Sequence, residues 1–347
     1  MKCKLRAPKS EQDIVSNWLY TDRVYISIVC LTYNHVNYIS DAIEGFLAQK
    51  TDYKFEVIIH DDASTDSTDL KIEEYRRKYP NIIKVLLNNE NQYSKNVNLP
   101  IINCNKVIGG QYIAFCEGDD YWIDKNKIQN QLSFLIMNQD VGLSITDYCN
   151  LYQNEGVYND CMLSKNKNLV SLRLNFDYFI VNQGYYAPMS WVMKRSLWLE
   201  VTTYTDAFLD STFVWLLKVM KQSRVHVDFR CTCVHRILQE SASHSNVARK
   251  IYKRNLSLYE TKRYFIKYYD LDLKLNDDIL YVFFIKNVSS LALKDVDISL
   301  VRSVMSDFKY IYLKRMKLKD ILNLIVFLTP LSSSIKIKVR KLCRMVL

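Results

Sequence analysis

The first 125 residues alternate between strand-like and helix-like patterns, and this alternation restricts the fold more than any other feature of the sequence. Four runs are almost continuously apolar and rich in β-branched residues, as buried parallel strands are. They cover residues 25–34, 55–62, 82–88 and 112–120. Between them, apolar residues recur with the period of a helix. The alternation therefore predicts an α/β fold with a doubly wound, mostly parallel sheet.

The remaining chain continues this pattern more loosely. A strand is predicted over 142–152, a helix over 207–222 and a further strand over 224–237. From about residue 246 to the end the periodicity is helical. We therefore predict a helical C-terminal extension attached to the α/β body.

Polar side chains follow three of the four predicted N-terminal strands at their carboxyl ends, the edge at which doubly wound sheets bind ligands. They are Thr32-Tyr33-Asn34, Asp61-Asp62 and Glu117-Gly118-Asp119-Asp120. The chain has only seven glycines and contains neither GxGxxG nor GxxxxGK[ST]. Their absence disfavours a nicotinamide-dependent enzyme and a P-loop nucleotidase.

The three acids Glu117, Asp119 and Asp120 follow a buried strand directly, and their mutual repulsion calls for a positive charge. Oxygen ligands alone suit a hard cation such as Mn²⁺ or Mg²⁺, which bridges to substrate phosphates. The alternative is a solvated acidic turn with no ligand. A second acidic strand end, at Asp61-Asp62, favours the metal.

The net charge of +10 is concentrated at the C-terminus. Residues 309–347 carry ten bases and one acid, whereas the remaining 308 residues carry 37 bases and 36 acids. An apolar stretch over 321–331 lies between the basic groups. We expect 305–347 to contact an anionic membrane surface, and the alternative is a helix packed on the body with a solvated basic face. Nucleic acid is disfavoured, because no recognition motif accompanies the charge.

Three blocks of sequence resemble glycosyltransferase family 2, of the GT-A fold and the inverting, bacterial surface-polysaccharide type. They are ISIVCLTYNHVNYISDAIEGFLAQ (26–49), FEVIIHDDASTDSTDLKIEEY (55–75) and GQYIAFCEGDDYWIDKNKIQNQLSFL (110–135). The resemblance continues more loosely to about residue 245. It implies a catalytic domain over 25–245 with nucleotide-binding (25–123) and acceptor (124–245) halves. The mixed, polar residues 1–24 predict an arm, and the helical pattern over 246–347, which the resemblance does not cover, predicts an extension.

The resemblance also implies a role for each strand-end residue. Tyr33 would stack on the nucleotide base, and Asp62 would accept a hydrogen bond from the base edge, which favours uracil. The implied nucleotide-binding set is Thr32, Tyr33, Asn34, Asp62, Glu117 and Asp119, and the implied metal ligands are Asp119 and Asp120. Glu117 stands where an aspartate is commoner in the family, which leaves its direct contact with the metal open.

Two further positions match the family's motifs beyond residue 200. Asp210 matches the general base that takes the proton of the acceptor hydroxyl. A carboxylate that merely caps a helix is the alternative for Asp210. His235 and Arg236 match a cationic region that could touch the diphosphate, or they form a structural surface pair.

The sequence therefore predicts a metal-dependent, inverting hexosyl- or N-acetylhexosaminyl-transferase. The donor would be a nucleotide-diphosphate sugar, most simply a UDP-sugar, and the acceptor a hydroxyl of a glycan or lipid-linked glycan. The alternatives are a catalytically silent nucleotide-sugar-binding scaffold and a sugar nucleotidyltransferase. The lack of a long apolar run and of a signal-peptide core predicts a cytoplasmic protein, peripheral at the inner membrane face.

Overall fold

The computed structural model describes most of the chain. The described residues are 4–159, 161–203, 208, 210–238, 247–272, 274–292, 294, 296, 298–306, 308, 309 and 311–328. The chain divides into two compact units: Met1–Phe176 with Gly184–Leu238, and Asp177–Gln183 with Gln239–Leu347. The predicted boundary at 245 and the tail beyond 328 lie outside the described residues.

Nine strands in the described part of the first unit form one sheet, in the order β3-β2-β1-β4-β8-β6-β9-β5 with β7 paired to β6. Their bounds are β1 Ile26–Thr32, β2 Phe55–Asp61, β3 Ile83–Leu87, β4 Tyr112–Phe115, β5 Tyr121–Trp122, β6 Val141–Tyr152, β7 Val157–Tyr158, β8 Trp191–Lys194 and β9 Arg224–Ile237. The strands β3, β2, β1 and β4 run parallel to one another, as predicted. Beyond β4 the sheet is mixed, because β8 runs antiparallel to both β4 and β6.

Helices alternate with the strands of the first unit along the described chain, and helices also make up the second unit. They are α1 Glu11–Val15, α2 Ile39–Leu47, α3 Thr68–Lys78, α4 Leu99–Asn105, α5 Lys127–Met137, α6 Lys167–Arg173, α7 Phe176–Asn182, α8 Arg195–Thr202, α9 Ser211–Gln222, α10 Ala248–Tyr268, α11 Lys274–Leu291, α12 Ile298–Met305, α13 Ile311–Arg315 and α14 Leu318–Leu328. The predicted helix over 207–222 begins at Ser211, because Asp210 caps it.

The parallel strands β1 and β2 are deeply buried in the core of the first unit. Every residue of β2 is buried, and six of the seven residues of β1 are buried. The predicted strand over 112–120 is shorter, with β4 ending at Phe115. The backbone N–H of Asp120 instead donates to the carbonyl of Glu117 at 3.1 Å and closes a turn. The acids therefore leave the sheet at its carboxyl edge.

The second unit is helical, as predicted for the C-terminal extension. Its core includes Phe284, Val288 and Leu291 of α11, and Val326 and Phe327 of α14 pack into the same cluster. Much of the apolar stretch predicted to face a membrane is thus buried against neighbouring helices. Among the described helices, none has the length and apolar character needed to cross a bilayer.

Candidate active site

The loops that follow β1 and β2 are joined by hydrogen bonds at the carboxyl edge of the sheet. The backbone N–H of Asn34 donates to the hydroxyl of Ser64 at 2.8 Å, and the side-chain Oδ1 of Asn34 accepts from the N–H of Thr65 at 2.7 Å. The N–H of Val36 donates to the carboxylate of Asp66 at 3.0 Å. Asn34, predicted to bind the nucleotide, therefore ties the two loops together.

Asp62 is buried at the end of β2 and holds the loop that follows β3. Its carboxylate accepts hydrogen bonds from the N–H groups of Gln92 at 2.7 Å and Tyr93 at 2.9 Å. The neighbouring Asp61 accepts from Ser64, and burial raises the pKa of the Asp61 carboxyl. A carboxylate oxygen accepts more than one hydrogen bond, so a hydrogen bond from a base edge to Asp62 stays a prediction.

Thr32 and Tyr33 differ in their access to a ligand. Thr32 is buried, and its Oγ1 has no hydrogen-bond partner among the described residues. It packs against Gly118, where a Cβ would lie 2.7 Å from that oxygen. Tyr33 is 44% exposed, which is what stacking on a base requires. The nucleotide contacts of both residues stay predictions.

The segment Glu117–Asp120, here called the acidic turn, gathers three carboxyl groups. Burial, reinforced by the negative charge of Asp119, raises the pKa of Glu117 to about 8. Asp120 is almost fully buried, and burial together with the charges of Asp119 and Glu117 raises its pKa. The carboxylate of Asp119 is 23% exposed and lies 4.0 Å from the Nε2 of His35. Within the described residues, no group of three or more His, Cys, Asp or Glu side chains has the geometry of a metal centre.

Arg236, near the end of β9, contacts the acidic turn. Its backbone N–H donates to the Oδ1 of Asp120 at 2.8 Å, and its guanidinium donates to the carbonyl of Asp119 at 2.5 Å. The guanidinium also forms an ion pair with Asp41, and the side chain is 2% exposed. Arg236 is thus bound to protein groups, and its diphosphate contact stays a prediction.

His235 faces a different set of partners. Its Nδ1 lies 3.3 Å from the Oδ1 of Asn150, and its ring centroid lies 5.5 Å from that of Tyr185. Strand pairing places the preceding residue, Val234, opposite Tyr121, which directly follows the acidic turn. His235 is therefore near the candidate donor site.

Asp210 occupies the N-cap position of α9. Its Oδ1 accepts from the N–H of Phe213 at 3.2 Å and from the hydroxyl of Thr212 at 3.0 Å. The capping role considered as an alternative is thus present, and these bonds fix the orientation of the carboxylate. Catalysis by Asp210 stays a prediction.

Tyr185 packs beside His235, with ring centroids 5.5 Å apart, and was not singled out in the sequence. Its side chain is 45% exposed, yet burial of the phenol raises its pKa, with additional contributions from the negative charges of Glu117, Asp120 and Asp210. The Tyr-Tyr pair at 185–186 was visible, but no spacing rule assigns it a role.

The comparison with family models agrees with this geometry. The model described as glycosyl transferase family 2 matches residues 27–198. The chain carries a family 2 glycosyltransferase domain. The resemblance read from the three sequence blocks is thereby confirmed.

Relatives of this glycosyltransferase domain are known by sequence. The uncharacterized protein Rv1520 of Mycobacterium tuberculosis is 42% identical over 110 residues, 32% of this chain and 31% of that protein. The chain thus spans about a third of the length of its mycobacterial relatives. The UDP-Glc:alpha-D-GlcNAc-diphosphoundecaprenol beta-1,3-glucosyltransferase WfgD of Escherichia coli is 27% identical over 224 residues, 64% of this chain and 81% of that enzyme.

Solved structures show the same fold at low identity. Residues 1–349 of TarS from S. aureus, in complex with UDP-GlcNAc, match with a TM-score of 0.51 at 17% identity, covering 88% of this chain and 79% of that one. The mannosyltransferase PcManGT from Pyrobaculum calidifontis, in complex with GDP-Man and Mn²⁺, matches with a TM-score of 0.54 at 16% identity, covering 94% and 89%. The predicted GT-A fold of the glycosyltransferase domain is confirmed.

Proposed function

We propose that this chain is a metal-dependent, inverting glycosyltransferase that moves a hexosyl or N-acetylhexosaminyl group from a UDP-sugar to a hydroxyl of a glycan or lipid-linked glycan. The acidic turn carries the proposal, because it concentrates three carboxyl groups at the sheet edge where this fold binds ligands. Support for the donor comes from the relatives, since WfgD is named for UDP-Glc and TarS was solved with UDP-GlcNAc.

The acidic turn has the chemistry of a Mn²⁺ or Mg²⁺ site. Burial, together with the negative charge of neighbouring carboxyl groups, raises the pKa of Glu117 and of Asp120, and a divalent cation would favour their ionised forms. Asp119 and Asp120 would hold the ion, with Glu117 nearby. When bound, the ion would neutralise charge on the diphosphate leaving group. The neighbour PcManGT was solved with Mn²⁺.

Other residues of the chain would bind the base and the diphosphate of the donor. Tyr33 would stack on the base, Asp62 would accept a hydrogen bond from the base edge, and the 91–93 loop that Asp62 holds would border the same pocket. His235 is better placed than Arg236 to meet the diphosphate, because the guanidinium of Arg236 is already bound to Asp41 and Asp119.

Asp210 would act as the general base in a direct displacement. Its carboxylate would take the proton of the acceptor hydroxyl while the oxygen attacks the anomeric carbon. The bond from that carbon to the diphosphate oxygen would break on the opposite face, so that UDP leaves and the centre is inverted. The two capping bonds would hold the carboxylate in one orientation throughout.

A lipid-linked acceptor would bring the enzyme to a membrane surface. On α14, Leu318, Ile325 and Leu328 are exposed, whereas five of the eleven residues of the helix are buried. The nearby Lys317 and Lys319 are also exposed, which suits an anionic surface. Cosedimentation with phosphatidylglycerol vesicles that is unchanged in the triple variant Leu318→Ser, Ile325→Ser, Leu328→Ser would contradict this part of the proposal.

A donor screen tests the proposed function. UDP-glucose, UDP-galactose, UDP-GlcNAc, UDP-GalNAc and GDP-mannose would each be incubated with the enzyme, with Mn²⁺ and with EDTA, and release of the nucleoside diphosphate would be measured. We expect Mn²⁺-dependent release from at least one UDP-sugar. Nucleotide binding without release from any donor, with or without glycan acceptors, would instead favour the silent scaffold.

A further inference from the structure

We propose that Asp41 and Arg236 form a clamp that presets the acidic turn for the nucleotide donor, with Asp41 as a positioning residue. The ion pair joins α2 to β9 and will be called the Asp41–Arg236 clamp. The inference rests on the proposed function, because it assumes that the acidic turn receives the donor. It assigns Arg236 to the turn itself rather than to the diphosphate.

Every edge of the Arg236 guanidinium is bound to protein. Nη2 donates to the Oδ2 of Asp41, Nη1 donates to the carbonyl oxygen of Asp119 at 2.5 Å, and Nε donates to the Oε1 of Gln153 at 3.1 Å. A planar guanidinium has donors in a fixed fork, so three acceptors in these positions fix its orientation. It cannot turn toward a ligand unless these bonds break.

Two aromatic rings complete the surroundings of the guanidinium. Its central carbon lies 4.5 Å from the ring centroid of Tyr121 and 5.1 Å from that of Tyr38. Burial between the rings removes water from the cation, and a buried cation without a counter-charge is strongly destabilising. Asp41 supplies that counter-charge, with its side chain 15% exposed.

The clamp reaches both aspartates of the acidic turn. The guanidinium fixes the carbonyl of Asp119, and the backbone N–H of Arg236 fixes the carboxylate of Asp120 through its Oδ1 at 2.8 Å. One residue thus sets the peptide between the two aspartates and the direction of one of their side chains. Asp41 acts on the turn through Arg236.

Lys4 contacts Asp41 as well, at 2.7 Å from the same Oδ2. Its side chain is 45% exposed, and an exposed ion pair contributes little. The dominant charge partner of the buried guanidinium is therefore Asp41, and the substitution Asp41→Asn is the one that tests the clamp.

The first experiment measures hydrogen exchange of the ligand-free protein in a peptide that includes residues 117–121. We expect exchange about tenfold faster in Asp41→Asn than in the wild type, because the turn loses its anchor. Asp228→Asn is the matched control. Asp228 lies on the same strand as Arg236, eight residues before it, and its carboxylate, with the side chain 18% exposed, pairs with Arg230. Unchanged exchange in Asp41→Asn would overturn the clamp.

The second experiment separates positioning from stability. Calorimetric titration with UDP and Mn²⁺ should show about tenfold weaker binding in Asp41→Asn and a change under twofold in Asp228→Asn. The double variant Asp41→Asn, Arg236→Met removes both buried charges, so its thermal midpoint should recover toward that of the wild type. Its UDP affinity should remain low, because the bond to the carbonyl of Asp119 is lost. Recovery of affinity together with stability would overturn the positioning role.

The two experiments also distinguish the clamp from the proposed function. A wild-type protein that binds neither UDP nor GDP, while Asp41→Asn accelerates exchange in the turn, would contradict the proposed donor and leave the clamp supported. A wild-type protein that binds UDP with an affinity unaffected by Asp41→Asn would contradict the clamp alone.

Discussion

Gly118 lies against Thr32 so closely that a Cβ at position 118 would stand 2.7 Å from the Oγ1 of Thr32. This contact brings the acidic turn against the end of β1, where the N–H of Gly118 donates to the carbonyl of Leu31 at 2.8 Å. The acidic turn is therefore positioned by backbone packing as well as by the Asp41–Arg236 clamp.

The substitution Gly118→Ala should displace the acidic turn. Because Thr32 is buried and cannot move aside, we expect a loss of about 1–3 kcal/mol in the free energy of unfolding and at least tenfold weaker UDP binding. Urea denaturation and calorimetric titration measure the two effects. Gly156→Ala is the control, since that glycine has a φ of +64° and no atom within 4 Å of the new Cβ. It should lose about 1 kcal/mol of stability and keep full UDP affinity.

Replacing Asp210 separates its capping and catalytic roles. Asparagine caps helices about as well as aspartate, so Asp210→Asn should leave the thermal midpoint nearly unchanged. The same change removes the base, and we expect kcat to fall by about 10²–10⁴. Single-turnover rates at saturating donor measure the chemical step. Turnover within a factor of two of the wild type would show that Asp210 only caps α9.

Tyr185 should contribute to the substrate site through its ring. Tyr185→Phe keeps the contact with His235 and is expected to change kcat/KM by less than about threefold. Tyr185→Ala removes that contact, and a loss of about 0.5–1.5 kcal/mol corresponds to a two- to twelvefold fall in kcat/KM. Initial rates with varied acceptor measure both variants. Equal rates in all three proteins would place the ring outside the substrate site.

Lys127 gives the folded protein a specific dependence on pH. Burial lowers the pKa of its ammonium group to about 8, beside the ring of Trp122 and the Oε1 of Gln131. The unfolded chain keeps this proton up to about pH 10.4, so between pH 8 and 10 the unfolded state binds more protons. The free energy of unfolding should then rise with pH, relative to Lys127→Met, by up to about 1.4 kcal/mol per pH unit. Below pH 8 the difference should be constant.

Urea denaturation of the wild type and of Lys127→Met at pH 7, 8, 9 and 10 measures this slope. Groups common to both proteins cancel in the difference. Parallel curves between pH 8 and 10 would mean that the folded protein keeps the proton on Lys127.

The sequence was sufficient to predict those parts of the structure that depend on short-range patterns of residues. The apolar runs of β1 and β2 located the parallel half of the sheet, and the acids after β4 located the acidic turn. Contacts between residues far apart in the chain could not be predicted from the sequence pattern. Asp41 and Arg236 are 195 positions apart, and no local periodicity links a helix near the N-terminus to the end of β9. The antiparallel insertion of β8 between β4 and β6 was hidden for the same reason.

The individual roles of site residues depend on side-chain direction, which pattern does not encode. Arg236 matches a cationic region that could touch the diphosphate or form a structural pair, and in the fold its guanidinium is paired with Asp41, so the diphosphate contact stays a prediction. Thr32 stands at a strand end among predicted nucleotide ligands, and the fold closes Gly118 over its hydroxyl. The sequence thus predicts which polar residues lie at strand ends near a ligand. Side-chain packing in the folded protein decides which of them point toward that ligand.

The most direct measurement is a calorimetric titration of the protein with UDP in the presence of Mn²⁺ and, separately, of EDTA, for the wild type and for Asp119→Asn. We predict that the wild type binds UDP at least tenfold more tightly with Mn²⁺, and that Asp119→Asn abolishes this dependence on the metal. Equal UDP affinity with Mn²⁺ and with EDTA in the wild type, or an unaltered Mn²⁺ effect in Asp119→Asn, would contradict a metal site at the acidic turn.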